Sequence, residues 1–148
     1  MQTLVNPTHF GLPQRVASGI NPKKLSLLIA VLERYAGISL GDHDIFFNIT
    51  GGLSISEPAI DLGIAAALLS SFRNKPIRNG LAFIGELGLG GELRPVNNMT
   101  TRLNELAGMG FTECVVPVPG KRSDWAKGKC KLKLGKCGNV KNIGDYLF

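Results

Sequence analysis

The chain has 148 residues and a mass of 15.8 kDa, enough for one domain that buries roughly two-thirds of the surface its unfolded form exposes. With 44% apolar and 19% charged residues, its composition is globular and excludes disordered and fibrous classes. The formal net charge is +6, yet residues 1–120 hold nine basic and nine acidic side chains, so the whole excess lies in residues 121–148, where eight basic residues face Asp124 and Asp145.

Residues 2–5 read as the end of a strand, and residues 10–20 as short extended pieces broken by Gly11, Pro13 and Gly19. Asn21 as cap, Pro22 at the first helical position, and Leu25, Leu28, Ile29 and Leu32 at helical spacing predict an amphipathic helix that stops at Gly37. Residues 43–50 are rich in β-branched and aromatic side chains and predict a strand closed by Gly51-Gly52. A second helix over 57–72, apolar almost all round and acidic in its first turn at Glu57 and Asp61, is expected at the centre of the fold. Two strands over 81–87 and 92–96 flank Gly88-Leu89-Gly90-Gly91 as a hairpin. A third helix is expected from Asn98 as its cap to Gly108 or Gly110, then a buried strand over 114–118, an edge-like strand over 131–134 and a short terminal helix or extended end over 143–148. Hairpins mixed with crossovers point to an α+β or mixed α/β layered domain.

Several chemistries are disfavoured by what the sequence lacks. The longest apolar run, Leu62 to Leu69, is far short of the roughly 20 residues of a bilayer span, and residues 1–10 have neither the charge nor the apolar core of a secretory signal. Cys114, Cys130 and Cys137 are odd in number without a C-x-x-C pair, and His9 and His43 are the only histidines, so neither a disulfide framework nor a metal site is expected. No G-x-x-x-x-G-K-[ST] loop occurs, and Gly85, Gly88, Gly90 and Gly91 read as a tight turn rather than a dinucleotide fingerprint. Glu86 and Glu92 flank that turn as a solvated hairpin end, and Ser54, Ser56, Ser70 and Ser71 have no evident partner base.

Cations carry the remaining signal. Lys23 and Lys24 oppose the dipole of the first helix, either as solvated charges or, with the free amides there, as a phosphate holder. The run Lys121, Arg122, Lys127, Lys129, Lys131, Lys133 and Lys136 contains Lys129, Lys131 and Lys133 at period two, which on one strand face would be about 6.6 Å apart. Such a row suits a phosphate backbone or protects a sheet edge. Trp125 within it either stacks on a base or anchors the segment to the core.

The stretches PTHFGLPQRVASG at 7–19, the helix at 25–37, GGL at 51–53 followed by EPA at 57–59, SSFR at 70–73 and GELGLGGELRPV at 85–96 together resemble the C-terminal Lon-protease-like domain of the RadA (Sms) family of bacterial DNA repair proteins, over roughly residues 4–118. The resemblance implies an α+β fold like the second domain of ribosomal protein S5, with layered sheet and helices. It implies a cytoplasmic protein whose ring, a hexamer in the usual case, sets this domain as a scaffold and DNA-contacting platform beneath a RecA-like ATPase that drives branch migration in homologous recombination, with other recombination proteins as further partners and no membrane. The zinc finger, nucleotide loop and K-N-R-F-G segment of that family precede this domain, so the chain is expected to be a fragment, with ATP, magnesium and zinc held by the missing portions and no cofactor here. Lon proteases place a catalytic Ser where this chain has Ala59 and a catalytic Lys where it has Thr100, so a nucleophile and its base are both missing and no protease is expected. Arg15, Arg73, Arg94 and Arg102 fall on positions where the family tends to have Arg, and with Lys23, Lys24, Lys121 and Arg122 they are the expected DNA contacts, with a bridge between subunits as the alternative role for some of the arginines. The alternative is a pure oligomerisation module without DNA binding.

Overall fold

The computed structural model describes residues 1–9, 11–121, 123–126 and 130–148. The first sheet joins β1 (Gln2–Pro7), β2 (Arg15–Ser18) and β3 (His43–Asn48) in the order β1-β3-β2, with β1 antiparallel and β2 parallel to β3. A parallel pair needs a crossover, and α1 (Pro22–Tyr35) supplies it between β2 and β3. Its start is the expected one. Asn21 is extended and its Oδ1 accepts the Lys23 N–H at 2.9 Å, Pro22 fills the first turn, and Gly37 at φ +66° follows its end.

The central helix begins later than its apolar pattern indicates. Pro58–Ile60 forms a 3-10 turn and α2 runs Asp61–Phe72, so Glu57 lies outside the helix. Leu62, Ile64, Ala65, Ala66, Leu68 and Leu69 are all buried in it, as expected of a helix wrapped on every side. The main core joins these to Leu25, Leu28, Ile29 and Leu32 of α1, Ile45 and Phe47 of β3, and Ile143 and Leu147 near the C-terminus.

The second sheet, β4 (Leu81–Phe83), β7 (Glu113–Pro117) and β8 (Lys133–Cys137), is parallel throughout in the order β4-β7-β8. Between β4 and β7 lie the hairpin β5 (Glu86–Leu87) and β6 (Leu93–Arg94) and the helix α3 (Met99–Gly108). The single strand expected over 81–87 is thus divided. Gly85 turns toward α2, its N–H donating to Ala59 O and its carbonyl accepting from Leu62 N–H, each at 3.1 Å. A Cβ there would come within 3.1 Å of Pro117.

Two further expectations fail. Asn98 does not cap α3: it is left-handed at φ +60°, whereas a cap residue needs extended backbone for its side chain to reach the first turn. Glu86 is opposite Arg94 in the hairpin. The edge strand starts at Lys133 rather than at 131, leaving Lys131 in a bend, while Lys129 lies outside the described residues. Among the described residues, only Lys133 of the expected row of cations at period two lies on β8. The chain closes with α4 (Gly144–Leu147). No helix among the described residues is long and apolar enough to cross a membrane.

Candidate nucleic-acid interface

A second, smaller core lies under the start of α3. Ala59, Ala82, Ile84, Met99, Leu103, Cys114, Val116 and Leu132 are buried together, and Trp125, in the 3-10 turn Asp124–Ala126, packs against them, which gives it the anchoring role. Arg102 ties the 58–60 turn to α3. Its Nε donates to Asn97 O at 2.9 Å and its Nη2 is 3.2 Å from Glu57 Oε1. Ala59 is buried in this cluster, whereas Thr100 is exposed and lines a shallow groove of about 570 Å³ together with Asn97, Asn98, Thr101, Ser123 and Trp125.

The eight candidate cations are dispersed in their roles. Lys24 Nζ is 2.5 Å from Asp61 Oδ1, so its ammonium clamps the starts of α1 and α2 together instead of standing open to an anion. Arg94 pairs with Glu92 beside it, and Arg102 pairs with Glu57 as above. Arg73, next after α2, lies 6.0 Å from the centroid of the Phe148 ring. Arg15, Lys23 and Lys121 are exposed and make no ion pair with a described residue, and Arg122 lies outside the described residues. At the start of α1 the Lys23 N–H is already bound by Asn21. Of the serines, Ser71 Oγ accepts from Val5 N–H at 2.9 Å and Ser70 Oγ donates to Lys75 O at 2.6 Å.

The electrostatics reflect burial more than catalytic tuning. Desolvation raises the Asp61 carboxyl above its ordinary value, although Lys24 and the Leu87 N–H both act to lower it. Glu92 is held below the usual range by its own backbone amide and then by Arg94. Burial pushes the Cys114 thiol up to about 12, with Cys130 adding to it, and raises Cys137 as well. Among the described residues no three His, Cys, Asp or Glu side chains are grouped as metal ligands would be.

Two features escaped sequence reasoning. The Lys24–Asp61 pair spans distant segments, but Asp61 is the lone charge in an otherwise apolar run, and a charge in such a run is seldom buried without a partner. The groove lined by Asn97, Asn98, Thr101 and Ser123 combines a helix start with a loop from beyond β7, and no local spacing marks it.

Residues 11–119 match the family model described as Subunit ChlI of Mg-chelatase. DNA repair protein RadA of Halalkalibacterium halodurans is 45% identical over 117 residues, 79% of this chain and 26% of the relative. The proteins of that name from Bacillus subtilis and Listeria monocytogenes are 42% and 44% identical over 147 residues, 99% of this chain and 31% of each relative. The similarity therefore extends into the basic C-terminal segment, beyond the stretch 4–118 over which the resemblance is read from motifs. The chain spans at most 31% of the length of these relatives. It belongs to the family described as subunit ChlI of Mg-chelatase, and it is homologous to a part of the proteins named DNA repair protein RadA.

Proposed function

We propose that this chain is a non-proteolytic scaffold domain of a RadA-type DNA repair ATPase, with the layered fold of ribosomal protein S5 domain 2, that forms a ring, expected to be a hexamer, and contacts the DNA backbone during branch migration. The observation that carries the reading is Ala59. At the position where the resemblance calls for a nucleophile, the chain has a buried methyl group packed with Met99, and Thr100 in place of the base lacks an amine. A hydroxyl without a neighbouring base gives no peptide-bond attack, so the region is left to bind rather than cleave. The small mixed sheets around α2 are compatible with the fold, and the exposed Arg15, Lys23 and Lys121 supply the sequence-independent attraction that a phosphate backbone requires. In this reading ATP, magnesium and zinc belong to portions of the protein outside this chain, which would make the whole protein an ATP-dependent motor.

Sedimentation of the chain with and without a labelled oligonucleotide, in parallel with incubation on an unfolded protein substrate, tests this. Ring formation, co-sedimentation with DNA and an intact substrate are expected; a monomer without DNA affinity, or time-dependent cleavage, contradicts it. The engagement of Lys24, Arg94 and Arg102 in ion pairs favours the second reading, an oligomerisation module, for which rings without DNA affinity are the signature.

A further inference from the structure

The first sheet has an open edge next to an apolar groove. β2 is the outer strand in the order β1-β3-β2. The amides of Ile45 and Ile49 donate to Gln14 O at 2.8 Å and Ser18 O at 3.0 Å, so the backbone groups of Gln14, Val16 and Ser18 turn toward β3 and those of Arg15 and Ala17 turn away from it. Two N–H and two C=O groups therefore line the free side without a partner among the described residues. The next carbonyl on that side, of Gly19, accepts the Ile55 N–H at 2.8 Å, which ends the open stretch.

A groove of about 670 Å³ begins there. Ile20 and Ile55 line it together with Pro22, Lys23 and the exposed Leu27 of α1, and none of its described lining residues carries a carboxylate. Arg15 on the open edge and Lys23 in the groove are exposed and make no ion pair with a described residue. The Asp44 carboxylate near this edge is turned to the Gln14 N–H at 2.8 Å and the Thr8 Oγ1 at 2.9 Å.

This combination selects a ligand. A phosphate backbone accepts hydrogen bonds but does not donate them, which leaves the carbonyls of Arg15 and Ala17 unpaired. A second copy of the chain would bring β2 with its own Arg15, or β8 with Lys133 and Lys136, against these cations. An extended polypeptide supplies both donors and acceptors at the strand repeat, and carboxylates along it would meet Arg15 and Lys23. β2 has only four residues, so the pairing is short and an apolar side chain in the groove must add contact.

We propose that the β2 edge and the groove beyond it bind an extended acidic segment of a partner protein. The segment pairs with Arg15 and Ala17, places an apolar side chain against Leu27 and Ile55, and sets carboxylates toward Arg15 and Lys23. This goes beyond the DNA-binding reading and does not rest on it. Because both ligands use these two cations, bound DNA and bound peptide exclude each other there.

Amide hydrogen exchange of the unaltered chain, followed residue by residue by NMR, tests this with a peptide of alternating glutamate and valine. The comparisons are the same peptide with lysine for glutamate, the acidic peptide N-methylated at alternate residues along its pairing edge, and an oligonucleotide. Near saturation the acidic peptide is expected to slow exchange about tenfold at Arg15 and Ala17 and to leave Val16 and Ser18, already bonded to β3, unchanged. The lysine peptide is expected to bind about tenfold more weakly and the N-methylated one not to protect these amides. Arg15→Glu and Lys23→Glu are each expected to weaken the acidic peptide about 2- to 5-fold. An acidic peptide that fails to bind, or that binds without protecting the two amides, overturns the proposal, as does equal binding of the lysine peptide or equal protection by the N-methylated one. Protection that grows with chain concentration alone assigns the edge to a second copy, and protection by the oligonucleotide alone assigns it to DNA; either result overturns the proposal.

Discussion

Substituting Lys24 by Met leaves Asp61 buried without its counter-charge. The ammonium is 2.5 Å from Oδ1, the Leu87 N–H is 3.4 Å from Oδ2, and the side chains of Lys24 and Asp61 are 25% and 6% exposed. Removing one partner of a buried pair costs about 3–5 kcal/mol, and the residual exposure of Lys24 puts this case near the lower end, about 3 kcal/mol at neutral pH. For a chain of this size that lowers Tm by about 6–12 °C. The sign of the pH dependence follows from burial. Because the Asp61 carboxyl is raised in the folded state, the native protein holds the proton more tightly than the unfolded chain. Its contribution to stability is therefore complete below the unfolded value and is lost as pH rises through the raised folded value. Lys24→Met removes two lowering influences, lifts the carboxyl further and widens that window, so the deficit at pH 7 shrinks at mildly acidic pH as Asp61 accepts a proton. Adding Asp61→Asn to Lys24→Met removes the stranded charge and returns most of the loss. Urea denaturation of the unaltered chain and the two variants at both pH values measures this. A loss below about 1 kcal/mol for Lys24→Met, the range of exposed pairs, or a deficit independent of pH, refutes the reasoning.

Other substitutions separate backbone strain from surface charge. Gly19→Ala is expected to destabilise by about 2–4 kcal/mol, since φ is +85° and the new Cβ would sit 2.5 Å from Ile49 Cβ; equal urea midpoints for the two proteins contradict it. Gly108→Ala, at the end of α3 with nothing within 4 Å of the added carbon, is expected to gain about 0.5–1 kcal/mol in the same assay. Glu113→Gln, which loses Arg78 at 3.3 Å and Lys133 at 3.5 Å, is expected to cost less than about 1 kcal/mol because these pairs are solvated. Thiol labelling at mildly alkaline pH is expected to modify Cys130 first, with Cys114 and Cys137 reacting only on unfolding, and equal rates at all three contradict their burial.

What local chemistry decides was legible in the sequence. Asn21, Pro22 and Gly37 bracket α1 because capping and turn conformations depend on neighbours in the chain. The burial of α2 follows from its apolar surround. What depends on distant partners was not legible. β8 takes its register from β7, with Glu113 opposite Lys133, and that pairing sets its start at the last lysine of the three whose spacing suggested a row. Gly85 ends β4 because Ala59 and Leu62, over twenty positions earlier, claim its backbone groups. Lys24 reads as an open cation from its helix-start position, and only the folded chain brings Asp61 to it. The candidate interface is accordingly a smaller set of cations than charge alone indicates.

Salt-dependent DNA binding by the unaltered chain and by Arg15→Glu, Lys23→Glu and Lys121→Glu tests the central claim most directly. The account predicts sequence-independent binding whose log affinity falls linearly with log salt, at about −0.9 per phosphate contacted on duplex, with each reversal making the slope shallower by about 1. Reversal of Lys75, which lies over the Phe148 ring at 4.6 Å, or of Arg78, which is paired with Glu113, is predicted to leave the slope unchanged. No binding at low salt, or binding indifferent to salt, contradicts the account.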